Sequence, residues 1–490
     1  MSAYTICKEL LPPQTVEHVE KAHFTSPYKV NVIVARGTLL EIYDFVEHVV
    51  EPEPTELVDE ENDGTDQEAA IKERFDQDKE QDLVYPKLQP ITADTLAKTK
   101  SGRLELVSQY KLSGTVTSMG AVRTSSERGK EGCHSLLLAF NDAKMSLLEW
   151  SPATHSVTTV SIHYYERDEF KKEFLFNAYP PLVHIDPQQR CAVLNFYSDK
   201  IAILPFRQSE GHSEHNPKSK EGGRHHEDDS SRWPYSSSFV LDVSEIDSRI
   251  RNVIDMVFLH DYYEPTLAIL YQSNPTWTGR LADSKDTVSL AVISLDMSSR
   301  VYPIIYSLDN LPFDSTKLYA MPKPAAGLMV VSANALIYVA QGSPGIGIAV
   351  NGYTKTVTSF PSMICNPKIM ALGLELEGSK CVHLGGTRLC LFLRDGQWLT
   401  VRLVMDGNKV VDFDIERVEE QGDQKGKGSS ITTIPSCATV VKAGYFFLGS
   451  RAADSLLIKW AWKDPQLSRN QINGRPKLPS RASTGDNLGK

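Results

Sequence analysis

This chain has few cysteines, and they are unpaired in pattern. Seven residues (positions 7, 133, 191, 365, 381, 390 and 437) are scattered, odd in number and never form C-x-x-C. Neither a disulfide framework nor a compact zinc site therefore organises the fold. No Asn-x-Ser/Thr acceptor lacks an intervening proline, and no basic stretch leading into an apolar segment opens the sequence. The first absence agrees with an intracellular chain, and the second argues against a secretory signal. The longest near-apolar run, Ala325–Ala340, is interrupted by Ser332 and Asn334. It is short for a bilayer helix and reads as a β-hairpin, so no membrane partner is expected.

Catalytic signatures are missing too. There is no G-x-S-x-G elbow, no H-E-x-x-H pair and no G-x-x-x-x-G-K-S/T loop. Gly342-Ser-Pro-Gly345-Ile-Gly347 superficially suggests a phosphate loop, but it sits among strand-like runs without a βαβ context and reads as a turn. Gln424–Ser429 holds lysines and glycines in the wrong order for a phosphate cradle. The reading is a non-enzyme with no cofactor and no catalytic residue.

Positive charge is not concentrated anywhere, whereas negative charge is. The formal net charge is −10, yet Glu51 to Asp82 alone holds fourteen acidic and three basic residues, so the remainder is close to neutral. Overall charge thus argues for neither nucleic acid nor membrane. The acidic tract reads as a solvated insertion, with an acidic docking tract as the other reading. Gln208–Arg232 is a second polar interruption, with His212, His215, His225 and His226 beside Glu227–Asp229. Those are legitimate metal ligands, but no element spacing organises them, so an insertion is expected and a metal is not.

What is abundant is strand grammar. In Tyr262–Leu295 two apolar, β-branched-rich runs, Thr266–Tyr271 and Val288–Leu295, flank a loop containing Asn274, Pro275, Gly279, Asp283 and Ser284. Val253–Leu259 precedes them, and Val301–Leu308, Lys317–Met321, Gly327–Ser332 and Ala335–Val339 follow. Upstream lie Lys29–Val34, Leu39–Phe45 with Gly37 at the turn, Leu104–Tyr110 and Val116–Val122. Ser135–Phe140 and Lys144–Trp150 turn at Asn141–Asp142; Cys191–Tyr197 and Lys200–Pro205 turn at Ser198–Asp199. After Val350 the next clear runs are Gln397–Val404, Val410–Phe413, Cys437–Val441, Tyr445–Gly449 and Ser455–Trp460. Roughly twenty-four to twenty-eight strands at four per blade give an all-β propeller of six or seven blades, seven preferred. The WD-repeat signature is missing. The propeller is expected over 1–460, with insertions 51–99 and 208–232, a flexible loop 416–430, and 461–490 as a tail or linker.

Among exposed loops, Tyr262, Tyr263, Glu264, Trp277 and Arg280 bracket Thr266–Tyr271 and form a possible protein interface. The two loops are expected near one another, although opposite strand ends stay open. Packing of Trp277 between blades is the competing reading. Aromatic rings supply contact area and the charged groups supply register.

Long ordered stretches then carry a resemblance: "LLLAFNDAKMSLLEWSP" at Leu136–Pro152, "HIDPQQRCAVLNFYSDKIAILPF" at His184–Phe206 and "FLHDYYEPTLAILYQSNPTWTGR" at Phe258–Arg280. With "LPFDSTKLYAMPKPAAGLMVVSANALIYV" at Leu311–Val339 and "GYFFLGSRAADSLLIKW" at Gly444–Trp460, the chain resembles the N-terminal propeller region of the large-subunit family of the cleavage and polyadenylation specificity factor. Asp186–Pro187…Arg190 and Leu448–Ser455 also resemble features of the wider superfamily, which includes damaged-DNA-binding and splicing propeller scaffolds. The Tyr-Tyr-Glu-Pro and Asn-Pro-Thr-Trp stretches favour the polyadenylation branch.

The resemblance implies a noncatalytic nuclear scaffold in pre-mRNA 3′-end processing. It would organise WD-repeat and CCCH zinc-finger subunits that recognise the poly(A) signal, with pre-mRNA reached mainly through the assembled complex. A damaged-DNA-binding or splicing-type scaffold and a direct RNA-binding module stay open as alternatives; no RNA-binding residue is assigned. Members of the family carry three propellers and a helical region. This chain, ending at Lys490, has length for little beyond the first, so a fragment or truncated gene product is expected, with an incompletely closed ring as one consequence.

Overall fold

The structure is a computed structural model that describes residues 13–50, 99–170, 180–197, 199–207, 233–418 and 433–461. The expected insertions 51–99 and 208–232, the loop 416–430 and the tail 461–490 lie almost entirely outside the described residues. Only their edges are seen: Thr99 opens a strand, Glu416 and Arg417 end one, and Ala461 is described. The chain divides into one unit of Met1–Phe45 with Leu104–Lys490, which holds the propeller, and a second of Val46–Arg103. Of the second, the described parts are ends of strands.

Seven antiparallel sheets follow one another along the chain. Blade 1 comprises β1 (His18–Ala22), β2 (Asn31–Arg36), β3 (Leu39–Val50) and β4 (Thr99–Lys111). Blade 2 has β5 (Val116–Val122), β6 (Ser135–Phe140), β7 (Lys144–Ser151) and β8 (Ser156–Tyr164). Blade 3 has β9 (Leu182–Ile185), β10 (Cys191–Phe196), β11 (Lys200–Pro205) and β12 (Phe239–Asp242). Blade 4 has β13 (Val253–Phe258), β14 (Thr266–Tyr271), β15 (Val288–Ser294) and β16 (Ile304–Leu311).

Blade 5 has β17 (Ser315–Ala320), β18 (Leu328–Ser332), β19 (Ala335–Val339), β20 (Ile346–Ala349) and a short parallel β21 (Met363–Ile364). Blade 6 has β22 (Lys380–Gly385), β23 (Arg388–Phe392), β24 (Trp398–Asp406) and β25 (Lys409–Arg417), and blade 7 has β26 (Pro435–Lys442), β27 (Tyr445–Ser450) and β28 (Leu456–Lys459). The first strand of each blade lies against its counterparts in adjoining blades, making a ring of inner strands around a channel.

The central strands are apolar along their whole length because both sheet faces are covered. In β14, Leu267, Ile269 and Tyr271 enter the core shared with blade 3, while Ala268 and Leu270 enter the core shared with blade 5. Strand β10 does the same: Cys191 and Val193 face blade 4, and Ala192, Leu194 and Phe196 face blade 2. Period-2 alternation thus survives as alternation between two cores, each buried Leu, Ile or Phe contributing about 1.5–3 kcal/mol. Gly37 takes φ +57° at the β2–β3 turn, a conformation that costs a residue with a Cβ. Gly342 and Gly345, both at positive φ, lie in the β19–β20 turn.

Two differences from the sequence reading concern completeness. The ring closes within the described residues. Val16 N donates to Ser450 O at 3.1 Å and Ser436 Oγ donates to Val16 O at 2.5 Å. Val16, Val32 and Val34 pack with Val441, Tyr445 and Phe447 between blades 1 and 7. The expectation of an incompletely closed ring is corrected accordingly: Val16, just before β1, is buried in the joint and hydrogen-bonded to blade 7, where it joins Val32 and Val34 of β2. Strands β1, β22 and β23 were not apparent in the sequence pattern.

Candidate protein-interaction site

In an antiparallel sheet successive connections leave from opposite ends. Tyr262, Tyr263 and Glu264 precede β14, whereas Trp277 and Arg280 follow it. Phe258 pairs with Leu267 at one end, and Tyr271 pairs with Ser289 at the other. The six residues of β14 therefore hold the two loops roughly 17 Å apart, at about 3.3 Å per residue. The expectation that they lie near one another is corrected; bracketing one strand puts them on opposite faces of the propeller.

The first face carries the β9–β10 and β13–β14 connections. Asp186, fully buried, accepts from Arg190 at two points, Nε–Oδ2 2.7 Å and Nη2–Oδ1 2.8 Å. Arg190 Nη1 donates onward to the carbonyl oxygens of Tyr262, at 3.2 Å, and of Tyr263. One guanidinium thus satisfies a buried carboxylate and clasps blade 3 to blade 4. Similar links run on around the ring: Arg128 Nη2 donates to Thr25 O at 3.0 Å between blades 2 and 1, and Arg123 N donates to Gln189 Oε1 between blades 2 and 3.

On this braced frame Tyr263 stands 93% exposed. Tyr262 turns inward against the core between blades 4 and 5, its hydroxyl 3.5 Å from Gln341 Oε1, and burial raises its pKa. The clasp fixes the backbone beneath this exposed ring, so contact there would cost little ordering of the loop. Tyr28, in the β1–β2 connection, is equally exposed, and the sequence reading did not single it out.

The opposite face carries Trp277, 59% exposed and so not packed between blades, with the Arg280 guanidinium 5.4 Å from its ring centre. A cation over an indole face holds both side chains in place. Next to them Thr278, Leu281, Phe313, Tyr353 and Leu374 line a cavity of about 750 Å³. Tyr353 at its edge is 71% exposed. At the cavity wall Asn334 Nδ2 donates to Asp314 Oδ2 at 2.7 Å, and burial raises the Asp314 pKa. Nothing in the sequence pattern joined Tyr353 to Trp277, because some seventy residues separate them and only the ring geometry brings their loops together.

The inner strands place ionisable groups around the channel. Asp255 on β13 accepts from Lys317 Nζ at 2.9 Å and Leu318 N at 2.8 Å, tying blade 4 to blade 5. Burial lowers His18 and His184 to about 4, so both are neutral at physiological pH. Burial, then Lys317 and Arg451, lowers the Lys380 pKa. Burial raises Glu20 to about 7.

The sign of the Glu20 effect follows by linkage. The unfolded carboxyl ionises near 4.5 and the folded one near 7, so the folded state is penalised increasingly as pH rises between those values. Glu20→Gln should stabilise the protein at pH 8 and leave it unchanged below about pH 4.5. Thermal melts of both forms across that range check this, and a gap that does not widen with pH would contradict it. The side chain keeps some accessible surface, so the difference is on the order of 1–2 kcal/mol.

Among the described residues no group of three His, Cys, Asp or Glu side chains is arranged to hold a metal, and no helix is long and apolar enough to cross a membrane. The histidine tract 212–226 lies outside the described residues.

The described residues form a closed seven-bladed β-propeller with braced loops and aromatic side chains exposed on both faces. The chain belongs to the family described as the RSE1/DDB1/CPSF1 first beta-propeller, whose model matches residues 67–471. It is similar to Protein CFT1 of Coccidioides immitis (strain RS), 32% identical over 494 residues covering 96% of this chain and 32% of that protein. Cleavage and polyadenylation specificity factor subunit 1 of Drosophila melanogaster is 32% identical over 368 residues, 74% of this chain and 24% of that protein. Protein cft1 of Aspergillus clavatus is 31% identical over 501 residues, 97% and 32% respectively. The chain spans about a third or less of the length of these curated relatives.

Proposed function

We propose that this propeller is a noncatalytic scaffold segment of the nuclear machinery that cleaves and polyadenylates pre-mRNA. The observation that carries the reading is the 32% identity to a named cleavage and polyadenylation specificity factor subunit over 74% of this chain. The propeller supports it physically, since its chemistry is exposed aromatic and charged contact on rigid loops, suited to holding partners. WD-repeat and CCCH zinc-finger subunits are the partners proposed, with pre-mRNA reached through them.

Tyr263 on one face, and Trp277 with Arg280 on the other, are proposed as separate contact points; Tyr262 and Glu264 support the first loop. Purification of the chain from nuclear extract should recover those two subunits, whereas recovery of ubiquitin-ligase or splicing subunits instead would reject the reading. Specific binding of AAUAAA RNA by the chain alone would favour the direct RNA-binding alternative. For the contact points, Tyr263→Ala and Trp277→Ala should each weaken subunit binding by about 1 kcal/mol or more without moving the thermal midpoint. Unchanged affinity in both would remove them from the interface.

A further inference from the structure

Between blades 2 and 3, on the face that carries the Arg190 clasp, lies a cavity of about 400 Å³ whose ionisable lining, among the described residues, is entirely basic. Arg123, Lys130 and Arg207 border it, with His134, and among the described residues neither Asp nor Glu lines it. Thr124 and Ser125 add hydroxyls, and Gln188 and Gln189 add side-chain amides. Arg123 and Lys130 are exposed at the rim and have no ion pair among the described residues. The neighbouring Arg128 is already committed, to Glu131 at 2.6 Å and to the Thr25 carbonyl.

His134 is prepared as a neutral donor. Its Nδ1 accepts from His23 N at 2.9 Å, which leaves the ring proton on Nε2. Burial, then the Arg123 charge, lowers its pKa to about 4, so it adds a hydrogen bond without adding charge. The cavity floor is braced across the blade joint, because Arg123 N donates to Gln189 Oε1.

We propose that this cavity binds the phosphate of a phosphorylated serine or threonine on a partner protein. The two rim cations, Arg123 and Lys130, match a monoester dianion, whose oxygens accept several charge-assisted hydrogen bonds. A nucleic-acid backbone is the less suitable occupant. Base recognition in single strands relies on aromatic stacking, and among the described residues no aromatic carbocycle lines this cavity. The site is also a discrete pocket between two blades, whereas a polynucleotide needs a track. Exposed Tyr28 and Tyr263, on the connections of the adjoining blades, offer apolar contact to the polypeptide around such a phosphate.

The test uses the 490-residue chain and a short glycine–alanine peptide carrying one phosphoserine, with binding followed by calorimetry. One-to-one binding is expected, absent for the unphosphorylated peptide and roughly tenfold or more weaker when aspartate replaces phosphoserine, as fewer charge-assisted bonds imply. Arg123→Gln with Lys130→Gln should weaken the phosphopeptide by about tenfold or more at an unchanged thermal midpoint. Lys130→Gln alone, at an exposed position, should give a smaller loss in the same direction and guards against misfolding of the double variant. Failure of the phosphopeptide to bind, or equal binding by wild type and both variants, overturns the proposal. So does oligouridylate binding that the same variants abolish when the peptide is silent, which would make the cavity a nucleic-acid site.

Discussion

Arg190→Ala is expected to lower the stability of the propeller by about 3–5 kcal/mol, the loss that follows when one partner of a buried ion pair is removed. Asp186 is fully buried and receives two hydrogen bonds from that guanidinium, plus Arg190 N at 3.2 Å. Alanine would leave its carboxylate without a counter-charge and would release the Tyr262 and Tyr263 carbonyls from the clasp. Arg190→Lys should recover only part of the loss, because an ammonium cannot make the two-point contact and reach a second loop together. Denaturant unfolding of the three forms measures this. A loss under 1 kcal/mol for the alanine form would show that the Asp186 site relaxes or hydrates and that the blade 3–4 joint does not depend on the clasp. Paired with Asp186→Asn, which removes the charge and keeps the shape, Arg190→Ala should cost less than it does alone.

Gly449→Val should cost about 3 kcal/mol, at the upper end for overpacking, and should act on ring closure in particular. Gly449 lies on β27 opposite Cys437, where a Cβ would come within 2.4 Å of Cys437 Sγ and 2.7 Å of Val16 Cγ1. Neither neighbour is a long side chain that swings away, and Val16 is itself buried in the joint between blades 1 and 7. Combining Gly449→Ala with Cys437→Ala removes the closest clash and should recover about 1 kcal/mol relative to the sum of the single changes. Thermal melts of the four forms test it. Strict additivity would show that the crowding lies elsewhere. Protease sensitivity of the segment before β1 should rise with the loss of stability, since that segment is held by Ser436 and Ser450.

Much of the blade architecture is legible in the sequence, and the reason is local. A strand buried on both faces is apolar throughout, so β14, β19 and β11 stand out with the bounds they have in the structure. The turn residues between them, such as Asn141–Asp142 and Gly37, announce the hairpins. Counting such strands gives six or seven blades, and the structure has seven. The inner strands β1 (HVEKA) and β22 (KCVHLG) escaped for an equally physical reason. They line the channel, so charged and imidazole groups interrupt the apolar pattern that identifies a strand. Strand β23 (RLCLF) lies between β22 and β24 and is apolar enough to recognise, but it was not singled out.

By itself the sequence determined the all-β propeller, its preferred blade number, the absence of known catalytic motifs and the resemblance that places it in its family, because each of these depends on residues close in the chain. Only the tertiary structure decided how the functional groups combine. It separated Tyr263 from Trp277 by the length of β14, joined Arg190 to loops about seventy residues away, and gathered Arg123, Lys130, His134 and Arg207 around one cavity. It also sealed the ring through Val16 and Ser436, which lie 420 positions apart. Contacts of this kind depend on how blades are ordered around an axis, and neither strand period nor turn chemistry encodes that order over a few residues.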